Sequence, residues 1–269
     1  MENKAQDKEN EIKVILLDHW CSDRDIAEAA WASTGRDRQN RPDSEVERVV
    51  TKQIIPFDHV TPLEAVWMKF YLHVPIFVER QLDKTRMSIQ KQDMTIEYQN
   101  GEFGRLGITQ NELSLRYRTM RNTFYPMPAD IRKIGDKLDE AYPTDAPGDS
   151  IIGGYEQLLQ EAIDWYEPKI ETMVKAWKAG VITEKEYKRV REVIRGVLGT
   201  SFYTDMQLTL NLNALKTMAD KRLEKGHPQP ETQWTVSLMV YEAFKQEVAP
   251  LALKGLLERG NWEILSAPP

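Results

Sequence analysis

The sequence predicts a single α/β domain whose C-terminal half is helical. Short apolar runs rich in β-branched and aromatic residues, IKVILLD at 12–18 and VWMKFYLHV at 66–74, read as strands set among helical patterns. From residue 129 onward, apolar residues recur at helical spacing instead, and capping signals mark several starts. A chain of 269 residues, 41% hydrophobic and 29% charged, is also long enough to bury a sizeable core.

In chain order, residues 1–11 read as a disordered polar tail ahead of a domain at 12–258. The first run is a buried strand. Ser22 or Asp23 caps the helix after it, with Ile26, Ala29, Ala30 and Ala32 turned inward. A loop, TGRDRQNRPDS, leads to a second helix at 44–54. Thr61, Pro62, Leu63 and Glu64 form a capping box with proline at the first helical position. After the strand at 66–74, Pro75 starts a helix carrying PIFVERQLDKTRM. Asn100-Gly101, flanked by alternating runs, marks a β-hairpin over 87–108.

Thr109 and Glu112 make another capping box, opening a helix or helical turn. Residues 124–128 are irregular and 129–141 helical, and the DAPGDS loop follows. A long helix at 155–179 kinks at Pro168 and stops at Gly180. Thr183 with Glu186 caps a helix reaching about Leu198, and Thr204 with Gln207 caps another reaching Arg222. LEKGHPQPE is a break, 232–249 a last amphipathic helix, and 259–269 a tail.

The net charge of −6 argues against a general nucleic-acid surface, so any basic site is local and suits a small anion. One cysteine, Cys21, permits no internal disulfide, and with four histidines leaves little for zinc. The start, MENKAQDKENE, has no apolar run, and no stretch approaches ~20 apolar residues. The expectation is a cytoplasmic protein without a secretory signal or membrane span.

Two polar clusters stand out. Arg80, Gln81, Asp83, Lys84 and Arg86 follow an apolar helix start, and Asn111, Glu112, Ser114, Arg116 and Tyr117 lie beyond the hairpin. Such density suggests a site interrupted by an insertion. If 204–222 is helical, Asn211, Leu215, Met218 and Arg222 share a face, its polar ends roughly 16 Å apart. That suits an extended ligand; the plainer reading is a core stripe flanked by polar residues. Arg195 either binds a phosphate or complements a helix dipole. Glu112 and Arg116 are equally read as a surface ion pair. Ser114 has no His–Asp partners, Cys21 reads as a packed thiol, and His59 is a ligand or a capping neighbour. Neither a Walker A loop nor GxGxxG is present.

At these residues the chain resembles the flavin-dependent thymidylate synthases. PIFVERQ matches the family's helix start, KTR stands for its RHR, and TQNELSLRY for SxNExSxRY. DIAEAAWAST, HVTPLEAVWMKF, IRGVLGTSFYT, TLNLNALKTMADKR and TQWTV resemble further family segments in the family's order, over roughly residues 12–250. The resemblance implies a mostly antiparallel sheet flanked by long helices, and a homotetramer with sites built from several subunits. It implies methylation of dUMP at C5, with methylenetetrahydrofolate as carbon donor and FAD reduced by NADPH, and no cysteine nucleophile.

By position, Gln81, Lys84, Glu112, Ser114, Arg116, Arg195 and Arg222 are then expected around the nucleotide, Arg222 as the catalytic cation activating the pyrimidine. Thr61, Lys84, Thr85, Arg86, Glu112, Asn211, Asn213 and Thr217 are expected around FAD. The chain departs from the family pattern at several of these. Lys84 stands for arginine, Thr85 for histidine, Asn213 for arginine, Ala65 for histidine and Gly199 for proline, and the hairpin splits the motif. A histidine expected before TQWTV is lost or displaced to His227. Two other readings follow: methylation or hydroxymethylation of another pyrimidine nucleotide, UMP or dCMP, and a nucleotide-binding module that no longer holds flavin.

Overall fold

The structure, a computed structural model, describes residues 11–35, 41–84, 108–112, 124–142, 150 and 152–267, with only the backbone described at 83–84 and 108–112. The expected tail at 1–10 and the hairpin as far as residue 107 lie outside these residues. The chain divides into two compact units. One comprises Ile12–Val74, Val78–Glu112 and Asp205–Pro269, the other Met1–Glu11, Pro75–Phe77 and Leu113–Thr204.

The first unit holds a four-stranded sheet of β1 (Lys13–Trp20), β2 (Trp67–Pro75), β3 (Ile108–Glu112) and β4 (Tyr203–Asn211), in the order β1-β2-β4-β3. β1 and β2 pair antiparallel from Lys13↔His73, with an irregularity between Leu16 and Asp18; β3 and β4 pair antiparallel from Ile108↔Leu210 to Glu112↔Met206. Met68, Phe70, Leu72 and Val74 on β2 and Met206, Leu208 and Leu210 on β4 are buried, the every-second-residue pattern of a strand with one core face. On β1, Val14 and Leu16 are buried whereas Ile15 and Leu17 are each 47% exposed. The strand therefore buries one face, not both as its apolar run implied.

Helix α1 (Asp23–Ser33) starts at Ser22, which forms a capping box with Asp25. It buries Ile26, Ala27 and Trp31 rather than Ala29, Ala30 and Ala32, because the bulky Trp31 sets the inward stripe. Helix α2 (Asp43–Val49) continues into a π-helical turn at Val50–Ile54. Thr61–Ala65 is a five-residue 3-10 turn, with no side-chain cap, that leads straight into β2. The short helix after β2 is α3 (Ile76–Lys84).

The capping-box reading of Thr109 and Glu112 is corrected, because those residues belong to β3. The same holds for Thr204 and Gln207, which lie in β4. There, alternation of buried Met206, Leu208 and Leu210 outweighs the local cap pattern. Helix α7 (Leu212–Arg222) begins only where Asn211 Oδ1 accepts the Ala214 N–H at 2.8 Å, so Asn211 is its cap and not part of a helical face. The helix expected at 232–249 is observed as α8 (Pro230–Lys245), and a further helix that was not expected, α9 (Pro250–Arg259), follows it. Between them Glu247 and Ala249 adopt left-handed backbone at φ 54° and 40°, and Pro250 disfavours helix in the residue before it. The C-terminal segment is docked: Glu263 N–H donates to the Leu223 carbonyl (2.7 Å) and Trp262 Nε1 to Asp220 (2.8 Å).

In the second unit, α4 (Ala129–Ala141) follows the irregular 124–128 segment. Helix α5 (Tyr155–Lys178) runs uninterrupted past Pro168 and ends before Gly180, whose φ of 73° suits glycine. Helix α6 (Glu184–Ile194) carries the expected Thr183–Glu186 capping box and passes into a 3-10 turn at Arg195–Val197. Leu159, Ile163 and Phe202 form a core with Ile76, Phe124, Tyr155 and Leu198 packed against it. No helix among the described residues is long and apolar enough to cross a membrane.

Candidate functional site

Arg222 is the last residue of α7. An arginine here ordinarily serves its own helix dipole, but this guanidinium reaches elsewhere. Nη2 donates to the Gln81 carbonyl at 3.0 Å and Nη1 to Gln229 Oε1 at 3.3 Å. Gln81 lies in the last turn of α3, where carbonyls lack intrahelical partners, so Arg222 satisfies one of them. The side chain is half-buried, and desolvation pulls its pKa below the ordinary arginine value, yet a guanidinium remains protonated. Both oxygens are uncharged; the C-terminal turn of α3 at Gln81 favours the cation, whereas Gln229 stands at the N-terminus of α8, whose dipole opposes it. The structure thus brings together two residues expected near the nucleotide, and gives Arg222 a structural task as well.

Four residues expected near FAD gather where the Thr61–Ala65 turn meets α7. Leu212 N–H donates to the Val66 carbonyl (2.8 Å), and Asn213 Nδ2 donates to Glu64 Oε1 (3.1 Å). Asn211 and Asn213 are buried, Thr217 is half-buried and Thr61 exposed. Beside Thr217, Lys216 pairs with Asp58 (3.2 Å) and Asp220 (2.7 Å). Burial alone would depress its pKa, but the carboxylates outweigh that and hold it up. These pairs fasten the 58–64 segment to α7. Thr61, Asn213 and Thr217 present neutral donors and acceptors, which fit the carbonyls and hydroxyls of a flavin. Asn211 Oδ1 is engaged as a helix cap, so its amide nitrogen is the part left to bind. Exposed Glu64 is unsuited to an anionic pyrophosphate. The cationic residues that would meet one, Lys84 and Arg86, fall among the undescribed side chains.

Arg195 lies in the second unit, half-buried at the 3-10 turn after α6. One turn earlier Arg191 is buried, with Nη1 on the Tyr187 hydroxyl (3.0 Å) and its guanidinium over that ring at 5.8 Å; the ring stacks on Trp177 at 5.1 Å. Tyr166, 2% exposed, has its pKa raised by burial against the opposing pull of Arg191 and Arg195. Thr85, Arg86, Ser114 and Arg116 lie outside the described residues, and the side chain of Glu112 is not described.

Three features escaped sequence reasoning. Gln229 was part of an apparent break, and Glu64 was read only as half of a cap. A polar cluster also sits on the sheet: Tyr71 hydroxyl and His73 Nδ1 both meet Asp205 Oδ1, at 2.7 and 2.6 Å, which satisfies a buried histidine. The period-two placement of Tyr71 and His73 was its one signal. Cys21 is exposed, not packed, and slight desolvation together with the Asp25 carboxylate raises its thiol pKa, the opposite of an activated nucleophile. Among the described residues no cluster of His, Cys, Asp and Glu is arranged to hold a metal.

Comparison with known proteins bears on this arrangement. The family model described as thymidylate synthase complementing protein matches residues 15–251. A flavin-dependent thymidylate synthase of Pseudothermotoga lettingae is 27% identical over 232 residues, covering 86% of this chain and 84% of the relative. One from Kosmotoga olearia is 29% identical over 189 residues, covering 70% of this chain and 67% of the relative. The fold is similar to that of a UMP/dUMP methylase, PolB from Streptomyces cacaoi bound with 5-Br dUMP. The TM-score is 0.59 at 22% identity, over 96% of this chain and 98% of that one. With a match spanning both units, this chain belongs to the thymidylate synthase complementing protein family, that of the flavin-dependent thymidylate synthases, and is a methyltransferase-type enzyme.

Proposed function

We propose that the protein methylates C5 of a uracil nucleotide, with dUMP the foremost substrate. Methylenetetrahydrofolate is the carbon donor, NADPH the reductant and FAD the bound cofactor. The observation that carries this reading is the setting of Arg222, a half-buried cation fixed against Gln81, another residue expected at the nucleotide, in a chain matching the family over residues 15–251.

The donor's methylene must gain a hydride to become a methyl, and reduced FAD supplies that hydride when bound. The rest falls to the chain's own residues. Arg222 stabilises negative charge on the pyrimidine once N3 loses its proton, which raises electron density at C5 for attack on the methylene. The methylene's bond to the folate nitrogen breaks, C5 gives up its proton, and N3 regains one in the product. Gln81 shares that site, and Arg195 is the candidate for the phosphate. Thr61, Asn213 and Thr217 orient the flavin through neutral hydrogen bonds. No thiol is needed, in keeping with the raised pKa of Cys21.

The methylase of similar fold is named for both UMP and dUMP, so UMP is the second candidate substrate. The test is product mass. Purified protein, FAD, NADPH and methylenetetrahydrofolate are incubated anaerobically with dUMP, UMP and dCMP together. A methyl gain on dUMP is expected. A gain on UMP or dCMP alone would reassign the substrate, and a hydroxymethyl gain would reassign the reaction. No product from flavin-loaded protein would leave a binding module. We further propose a homotetramer, which sedimentation velocity tests.

A further inference from the structure

We propose that Gln229 is a positioning residue for Arg222, aiming its guanidinium at the nucleotide; this rests on the reading of Arg222 as the nucleotide's cation. Two of the contacts that hold the guanidinium lie among the described residues. One is the Gln81 carbonyl, fixed by α3, and the other is the Gln229 side-chain oxygen at 3.3 Å. With one point alone the planar fork would swing about it; two points on different nitrogens set both its plane and its direction.

The mount for Gln229 is rigid. It stands between Pro228 and Pro230, and the following proline excludes the helical region, in agreement with its φ of −130° and ψ of 77°. Its N–H donates to His227 Nδ1 at 3.2 Å, and Pro230 opens the 16-residue helix α8. A side chain on so constrained a backbone loses little further freedom on holding its partner. As cap residue of α8 it makes no side-chain hydrogen bond to that helix, which leaves its amide to Arg222. The residue type also fits. A neutral amide orients the guanidinium without neutralising it, whereas a carboxylate would compete with an anionic ligand.

The test uses the FAD-loaded enzyme with Gln229→Met, Gln229→Glu and Arg222→Ala. Turnover with dUMP, bound flavin and the melting temperature are read for each. For Gln229→Met, which keeps volume but removes the amide, KM for dUMP should rise about tenfold, with flavin content and melting temperature retained. Gln229→Glu should be worse at neutral pH and recover as the pH falls and the new carboxylate protonates, a profile that a packing defect would not produce. Unchanged KM in Gln229→Met, or a loss matched by loss of flavin or of fold, would overturn the proposal. If Arg222→Ala still saturates with dUMP as the parent does, the reading of Arg222 itself fails. If only Gln229→Met behaves as the parent, the role of Gln229 fails and that of Arg222 stands.

Discussion

Asp23 offers the sharpest quantitative test of the fold that carries the site. Its carboxylate, 7% exposed, accepts the N–H groups of Leu251 and Ala252 at 2.9 Å each, so it caps the first turn of α9 from α1. Helix α9 has no cap of its own, since Ala249 precedes it and makes no side-chain bond. Each hydrogen bond to a charged group contributes about 1.5–3 kcal/mol, and removing the acceptor orphans both donors. Burial raises the pKa of Asp23 against the pull of those bonds, so relief of a desolvated charge offsets part of the loss. Asp23→Ala should therefore cost about 2–3 kcal/mol, or roughly 5–10 °C in Tm for a chain of this size.

The pH dependence has a definite sign. With the folded pKa raised, the folded state keeps a proton that the unfolded state has lost, between the ordinary carboxylate value and the raised one. Asp23's share of the stability is then largest in acid and declines as pH rises through that window. Asp23→Asn keeps one acceptor and should remove that decline. Urea unfolding followed by circular dichroism at several pH values measures both effects. A change under about 0.5 kcal/mol in Asp23→Ala, or an unaltered difference curve in Asp23→Asn, would refute the reasoning.

Further outcomes are expected elsewhere. Cys21 sits at φ 70°, so Cys21→Gly should stabilise by about 0.5–1 kcal/mol and leave turnover unchanged; lost activity would implicate the thiol. Glu64→Ala strands the Asn213 amide and should cost about 1–2 kcal/mol, with weaker FAD retention after gel filtration; full retention would remove that turn from the cofactor site. Arg222→Lys keeps the charge but loses the planar fork that meets the Gln81 and Gln229 oxygens on separate nitrogens, so KM for dUMP should rise about tenfold with flavin still bound. An unchanged KM would count against a role for the fork.

Where local pattern and tertiary demand agree, the fold was legible. β1 and β2, α4 over its full length and the capping box of α6 all follow from period and caps. Thr-x-x-Glu and Thr-x-x-Gln misled at β3 and β4, because a cap motif describes only the first turn. Pairing across the sheet outweighs it when the following residues alternate. The stop before Pro250 was legible, whereas helix α9 beyond it was missed, although Pro250 at its first position is a helix-start signal. At the candidate site, the motif residues were expected from the resemblance, whereas Gln229 and Glu64 were not. Glu64 meets Asn213, 149 residues away, which no local spacing reveals, and Gln229 meets Arg222 across only seven residues but through a turn containing two prolines, whose course the sequence pattern does not specify.

β4 passes into α7 with no intervening loop, since Asn211 is both the last strand residue and the helix cap. The strand's register against β3 therefore acts as an indexing key for the helix. Adding one residue within β4 would exchange its two faces and advance α7 by about 100° about its axis, carrying Arg222 away from Gln81. A residue added at Gly180, in the turn between α5 and α6, would only lengthen a connection. Drift in length is tolerable at such turns and forbidden along this strand, so change around Arg222 and Gln81 is confined here to substitution.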